Sequence, residues 1–143
     1  MNKAMKPGHL GVRLALEDPA PMVLLVDDEP DLLELAERVL RKAGFQVTCA
    51  ASGEEALQRL AQQSYDVIVA DLKMPKPGGR EIYQLIRERY PWLAQRVVFV
   101  TGELAPDTTH NWLTSTGLVI LTKPFDIGRL VAIVRSTLER NDC

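Results

Sequence analysis

The chain has 143 residues, which fits the usual size of a single domain, about 100–200 residues. Hydrophobic residues make up 46% of it and charged residues 25%, a composition that argues against a disordered chain. The net charge of −2 does not favour nucleic-acid binding, and no apolar run approaches the length of a membrane span, about 20 residues. The two cysteines, Cys49 and Cys143, form no spacing pattern, so we expect free thiols and a cytoplasmic location.

Residues 1–20 differ from the rest of the chain, because prolines and glycines interrupt them and no amphipathic pattern persists. We interpret them as a leader or linker, and we interpret residues 21–143 as one domain. That domain opens with a predicted buried strand over 23–26. A helix is predicted next: Pro30 suits its first turn, Gly44 ends it, and its expected apolar face includes Leu35.

Strands and helices are predicted to alternate through the remaining chain. Further strands are predicted over 45–49, 67–70, 97–100 and 118–121. The second helix is predicted to begin after Ser52, whose spacing to Glu55 is typical of a capping box. The third is expected to stop before Pro91, the fourth covers the polar segment 107–116, and the fifth follows Asp126. Five strand–helix repeats favour a doubly wound α/β sandwich around a parallel sheet.

Polar side chains follow four of the five predicted strands at the point where each strand ends. They are Asp27 and Asp28, Asp71, Thr101, and Lys123. Because ligands bind beyond the carboxyl ends of the strands in such sheets, we expect these groups to converge on one site. Neighbouring carboxylates repel each other, and a bound Mg²⁺ relieves that repulsion. A nucleophilic Asp, a metal, an ammonium and a hydroxyl donor match what phosphoryl transfer to a carboxylate needs.

Asp71 also has a purely structural interpretation, since an acid at a strand end often caps the following helix. The segment after it, 73–79, contains two prolines and two glycines, which indicates a loop. Helix capping therefore explains Asp71 poorly, and we favour the chemical role.

The whole set of motifs resembles the receiver domain of two-component response regulators, over residues 22 to about 140. The matching residues are Asp27-Asp28, Asp71 with Met74-Pro75, Gly79, Thr101 and Lys123-Pro124-Phe125. Each motif alone is weak, but the complete set in this order, on the corresponding elements, is highly specific.

This resemblance implies a fold and a reaction. The fold would be flavodoxin-like, with five parallel strands in the order 2-1-3-4-5 and five helices. Asp71 would accept a phosphoryl group from the phosphohistidine of a histidine kinase or a histidine phosphotransfer protein. Asp28 and Asp71 would bind Mg²⁺ directly, Asp27 would bind it through water, and the backbone carbonyl of Lys73 would be a further ligand.

The resemblance also implies a switch. Lys123 would pair with the phosphoryl oxygens, and Thr101 would reorient toward them. That movement would alter the face formed by helix 4, strand 5 and helix 5, where a homodimer is possible. The chain would be a phosphoacceptor with slow autodephosphorylation and not an enzyme acting on other substrates, and we expect it to contact neither nucleic acid nor membrane.

Two departures leave alternatives open. Receivers commonly carry an aromatic residue three positions before the lysine, and here that position is Ile120. The switch then either runs through backbone and loop shifts or is weak. Lys73 and Glu103 either shield the phosphoryl group or are two solvated side chains, for which an ion pair contributes only about 0–1 kcal/mol. Trp112 either anchors a partner or covers a thin part of the core.

Other functions and settings compete with this interpretation. A Mg²⁺-dependent phosphatase of the haloacid-dehalogenase type also uses a strand-end Asp and a Lys, but it requires Asp-x-Asp and a cap domain. A receiver that is never phosphorylated and only binds partners is a further alternative. The module is either a stand-alone regulator or the receiver of a hybrid histidine kinase.

Overall fold

The computed structural model describes residues 20–102 and 107–139. Within them lies one five-stranded parallel sheet, with the strand order β2-β1-β3-β4-β5, and the predicted order is confirmed. The strands are β1 (Met22–Val26), β2 (Gln46–Ala50), β3 (Val67–Asp71), β4 (Val97–Thr101) and β5 (Val119–Thr122). The α-helices are α1 (Pro30–Lys42), α2 (Gly53–Gln62), α3 (Gly79–Arg89), α4 (Asp107–Thr116) and α5 (Ile127–Glu139).

The continuous apolar runs form the central strands because both of their faces are covered. Every residue of β3 is buried, as are the last four residues of β1. Successive side chains of a strand point to opposite faces, and they divide between two buried clusters. One contains residues of α2 and α3, and the other contains residues of α1 and α5. The carboxyl edge of this rigid sheet carries the candidate site.

The helix ends follow the local signals in the sequence. Pro30 occupies the first turn of α1, and Gly44 follows that helix with a φ of 105°, a conformation that favours glycine. Before α2, the hydroxyl of Ser52 accepts a hydrogen bond from the backbone N–H of Glu55. The positions of Pro30 and Ser52 confirm the predicted starts of α1 and α2.

The structure differs from the expected elements in three places. A 3₁₀-helix, Pro91–Arg96, was not predicted, and it forms where Leu93 is drawn into the core. Leu35 was expected on the buried face of α1, and that was wrong: it is 45% exposed, while Leu33 packs against the core. On α3, Leu85 fits the apolar periodicity of the helix but is only half-buried.

Most strand bounds differ from the predicted ones by one residue. No helix in residues 20–102 and 107–139 is long and apolar enough to cross a membrane. The proposed leader lies almost wholly outside the described residues, as do Glu103 and Cys143.

Candidate functional site

The ends of four parallel strands bring the predicted site residues to one edge of the sheet. Asp27 follows β1, Asp71 is the last residue of β3, and Thr101 is the last residue of β4. Lys123 follows β5, and its backbone N–H donates to the carbonyl of Thr101 at 2.8 Å. The ladder pairs Asp71 with Val100, so the ends of β3 and β4 are fixed relative to each other.

Three carboxylates meet at this edge. One oxygen from each of Asp27, Asp28 and Asp71 lies within 4.8 Å of the others. Asp27 and Asp71 are 6% and 3% exposed, and Asp28 is exposed. A buried carboxylate is costly unless a cation or several hydrogen bonds compensate its charge. The cluster therefore requires positive charge nearby.

Lys123 supplies that charge. Its Nζ lies 3.0 Å from Oδ2 of Asp27, 3.1 Å from Oδ2 of Asp71 and 3.5 Å from Oε2 of Glu29. No motif in the sequence points to Glu29, whose side chain is mostly exposed and reaches the lysine from the loop before α1. Three carboxylates thus contact one ammonium group, and Asp28 lies beside two of them.

Backbone donors hold both buried acids in place. The backbone N–H of Glu29 donates to Oδ1 of Asp27, and the backbone N–H of Lys73 donates to Oδ1 of Asp71, each at 2.9 Å. These bonds leave the Oδ2 atoms for Lys123. A β-carbon placed on Gly102 would lie 3.6 Å from Nζ of Lys73, so the Lys73 side chain passes over that glycine. Because Glu103 is not described, its shielding role with Lys73 stays a prediction.

Burial and ion pairing shift two pKa values in the site. Burial raises the pKa of Asp27, although the N–H of Glu29 and the ammonium of Lys123 oppose that shift and Asp71 adds to it. Burial also disfavours the charged form of Lys123, but hydrogen bonds to Asp27 and Asp71 outweigh it and raise the lysine pKa to about 12. Lys123 therefore carries its charge at every physiological pH, and Asp27 is the member of the pair whose charged form burial destabilises.

A pH-dependent test follows for Asp27. Its raised pKa means that the folded protein holds a proton at pH values just above 3.8, the ordinary value, where the unfolded chain has released it. Ionisation of Asp27 therefore lowers stability as the pH rises through that window. In urea unfolding without metal, the free energy of unfolding of Asp27→Asn should therefore increase relative to that of the wild type as the pH rises from 4 to 7. For Glu88→Gln, at an exposed position of α3, the difference in free energy of unfolding from the wild type should not change with pH. If the difference for Asp27→Asn does not change with pH either, burial does not raise the pKa of Asp27.

An aromatic cluster occupies the opposite side of β4 from α5. Ile120 pairs with Phe99 across β4 and β5. The Phe99 ring lies 5.3 Å from that of Trp112, and the Tyr83 ring lies 5.4 Å from Phe99 and 5.9 Å from Trp112. The guanidinium of Arg80 stacks on Trp112 at 4.6 Å. Trp112 is half-buried and packs against the core cluster, in line with the core-covering interpretation.

An open groove of about 460 Å³ adjoins Lys123 on the other side of the site. Its apolar lining comes from α1 and from the segment after β5. The residues are Leu32, Leu35, Pro124, Phe125 and Ile127. Leu35 is the large hydrophobic side chain that stands out as exposed among the described residues, and it forms part of the lining of this groove.

Comparison with known proteins places this geometry in a family. The sequence model of the response regulator receiver domain family matches residues 23–135. The chain is 34% identical over 115 residues to the response regulator protein PilR of Pseudomonas aeruginosa, covering 80% of this chain and 25% of PilR. It is 35% identical over 118 residues to the probable transcriptional regulatory protein TcrX of Mycobacterium tuberculosis, covering 82% of this chain and 50% of TcrX.

A solved structure agrees with these relatives. The response regulator receiver protein from Sinorhizobium medicae superposes with a TM-score of 0.74 at 32% identity, covering 89% of this chain and 99% of that one. The chain spans only a quarter to a half of the two curated relatives. The family match nevertheless covers nearly all of the sheet and helices described above, and the chain belongs to the response regulator receiver domain family.

Proposed function

We propose that this chain is a phosphoacceptor: Asp71 takes a phosphoryl group from a phosphohistidine, and the change is signalled through a protein surface. The contact between Lys123 and Asp71, beside two further acids, carries this proposal. An ammonium group held at this position would stabilise negative charge on a phosphoryl oxygen. The family match supports the same role.

The transfer itself needs no general base. A carboxylate nucleophile has no proton to lose, and an oxygen of the Asp71 side chain attacks phosphorus, forming an O–P bond. The N–P bond to the donor imidazole breaks, and that nitrogen keeps the electron pair and takes a proton from solvent. Lys123 is already within 3.1 Å of Asp71 and pairs with a phosphoryl oxygen as the charge is transferred.

The donor set fits a hard divalent cation. Mg²⁺ prefers oxygen ligands and binds through one or two carboxylates, with water and phosphate oxygens completing its shell. We assign Asp28, Asp71 and the backbone carbonyl of Lys73 as direct ligands and Asp27 as a ligand through water. When bound, Mg²⁺ supplies positive charge for the phosphoryl oxygens. The excess of carboxylates over ammonium groups makes this assignment chemically consistent.

We propose that the phosphorylated domain signals by contacting another protein. Thr101, at the end of β4, is assigned the reorienting hydroxyl, and the face of α4, β5 and α5 is the assigned signalling and dimer surface. With Ile120 in place of an aromatic residue, the proposed switch either runs through backbone and loop shifts or is weak. The proposed setting is cytoplasmic, in either a stand-alone regulator or a hybrid histidine kinase, with no contact between this domain and nucleic acid.

Treatment with acetyl phosphate tests the proposal directly. With Mg²⁺ present, the intact-mass spectrum should gain one phosphoryl group on Asp71, and with EDTA it should not. A protein that gains none is a binding-only receiver. Repeated hydrolysis of para-nitrophenyl phosphate with multiple turnovers would instead support a phosphatase, for which the adjacent acids Asp27 and Asp28 are the wrong spacing.

The groove beside Lys123 is the proposed docking site for the phosphodonor protein. Leu35→Asp places a charge in its apolar lining, so transfer from the best donor in a panel of phosphorylated histidine kinases should slow by about tenfold or more, equivalent to about 1.4 kcal/mol. Phosphorylation by acetyl phosphate, which needs no docking, should not change. Gln84→Asp, at an exposed position of α3, is the matched control. If Leu35→Asp slows phosphorylation by the kinase and by acetyl phosphate equally, the substitution has disturbed the fold and not a docking contact.

A further inference from the structure

Gly53 contacts the loop that follows the phosphoacceptor, although 18 positions separate it from Asp71 in the sequence. It is the first residue of α2 and is buried. A β-carbon built on it would lie 1.7 Å from the carbonyl oxygen of Pro77 and 2.8 Å from its Cγ. The backbone of Gly53 does not adopt a positive φ, unlike Gly44 and Gly117. Glycine is therefore required at this position for space and not for conformation.

Close backbone contacts continue from Pro77 toward Asp71. A β-carbon on Gly78 would lie 3.2 Å from the carbonyl oxygens of both Leu72 and Met74. Those two residues flank Lys73, whose N–H donates to Asp71. On Gly79, a β-carbon would lie 3.0 Å from the Asp71 carbonyl oxygen. The loop 72–78 is thus folded tightly on itself, and a displacement at its far end reaches the residues on either side of Lys73.

We propose that Gly53 is a positioning residue: by allowing α2 to press against Pro77, it fixes the backbone of Lys73 and so the metal-binding geometry. This inference rests on the proposed function, in which the Lys73 carbonyl is a Mg²⁺ ligand. Metal and catalytic groups need placement within about 0.5 Å, which packing of the surrounding shell provides. The Gly53 contact is that packing for this loop.

The loop, and not the helix, yields when a side chain is added at position 53. Helix α2 is anchored by Ala56 and Leu60, which are 0% and 5% exposed. On the other side of the contact, Lys73 is exposed and Pro77 is only half-buried. To clear a β-carbon, the Pro77 carbonyl must retreat by more than about 1 Å, since atoms this close repel strongly. That shift exceeds the tolerance of a metal site.

The test compares Mg²⁺ affinity with stability for Gly53→Ala. Titration calorimetry should show the Mg²⁺ dissociation constant raised by about tenfold or more, the range seen when residues supporting metal ligands are changed. The initial rate of phosphorylation by acetyl phosphate should recover most of its wild-type value at saturating Mg²⁺. Urea unfolding in EDTA measures the accompanying loss of stability separately.

Two controls separate positioning from folding. Gly128→Ala adds a methyl group in α5, where no atom lies closer than 3.7 Å, and it should leave Mg²⁺ affinity unchanged. Val134→Ala removes volume from the core on the other face of the sheet. It should lower stability without weakening Mg²⁺ binding. If it weakens binding as much as Gly53→Ala does, the effect is general destabilisation and the inference fails.

A compensating change provides the rescue. Pro77→Gly removes the ring and frees the backbone, so the double variant Gly53→Ala/Pro77→Gly should recover part of the lost affinity. If Gly53→Ala does not fold, Pro77→Gly alone decides: a loosened loop should bind Mg²⁺ more weakly, and unchanged affinity overturns the inference. Unchanged affinity in a folded Gly53→Ala also overturns it. A wild-type protein that neither binds Mg²⁺ nor accepts phosphate removes the proposed function, and the inference with it.

Discussion

Replacing Asp71 with Asn is expected to abolish phosphorylation by both acetyl phosphate and a phosphorylated kinase. The amide keeps the size of the side chain, and its oxygen can still accept the N–H of Lys73. It has no nucleophilic carboxylate, and it removes one charge from the proposed Mg²⁺ site. Intact-mass spectrometry after treatment in Mg²⁺ should show no added phosphoryl group. A full phosphoryl gain in Asp71→Asn would transfer the acceptor role to another carboxylate.

The same variant should be more stable than the wild type when metal is absent. Asp71 is 3% exposed and shares Lys123 with Asp27 and Glu29, so removing its charge reduces repulsion while the lysine keeps two partners. We expect a gain of about 1 kcal/mol, the usual size of a favourable single charge substitution. Urea unfolding in EDTA measures it. Equal or lower stability would mean that the Lys123 pair with Asp71 outweighs the crowding of acids.

Replacing Lys123 with Met should lower the metal-free stability more than any other single change at the site. The ammonium lies 3.0 and 3.1 Å from two buried carboxylates, and its removal leaves both uncompensated. Breaking a buried ion pair costs about 3–5 kcal/mol. Because the lysine side chain is 16% exposed and water can reach the site, we expect the lower end, about 3 kcal/mol. Urea unfolding at pH 7 in EDTA is the measurement.

The remaining pattern of results identifies the cause. Added Mg²⁺ should narrow the gap between Lys123→Met and the wild type, since it provides positive charge to the same acids. The gap should not change between pH 6 and pH 9: the lysine pKa of about 12 exceeds its ordinary 10.5, so its contribution is complete below 10.5 and is lost only as the pH rises through 12. Lys42→Met, at an exposed position of α1, is the matched control. Lys42→Met should have nearly the wild-type free energy of unfolding. If Mg²⁺ does not reduce the difference in free energy of unfolding between Lys123→Met and the wild type, lost packing of the lysine side chain is the cause.

The convergence of Asp27, Asp71 and Lys123 could be predicted because parallel strands end at one edge, and each residue ends a strand or directly follows one. Glu29 could not, because its link to Lys123 depends on a side chain reaching across from a loop. The Gly53–Pro77 contact has no signal in a single sequence either. It joins two segments whose distance is set only after the sheet forms.

Helix faces were predicted less well than strands. Leu35 fits the apolar periodicity of α1, yet it lies where the helix projects beside the β5–α5 segment, and no neighbouring element covers it. The same limit applies to Trp112. Its helical position was predicted, but its stacking on Arg80 depends on how α3 and α4 pack. The periodicity of a helix predicts which way a side chain faces, but not whether another element of the fold covers it.

The groove and the aromatic cluster lie on different sides of the sheet. The groove is formed by α1 and the segment leading into α5, on the side of one buried cluster, while Trp112, Tyr83 and Phe99 belong to the other. A protein seated in the groove therefore leaves the α3–α4 side open to solvent. Because the assigned signalling face includes α5, which directly follows the groove segment, a recipient that contacts only the α4 side of that face would avoid the donor, whereas one that covers α5 would compete with it.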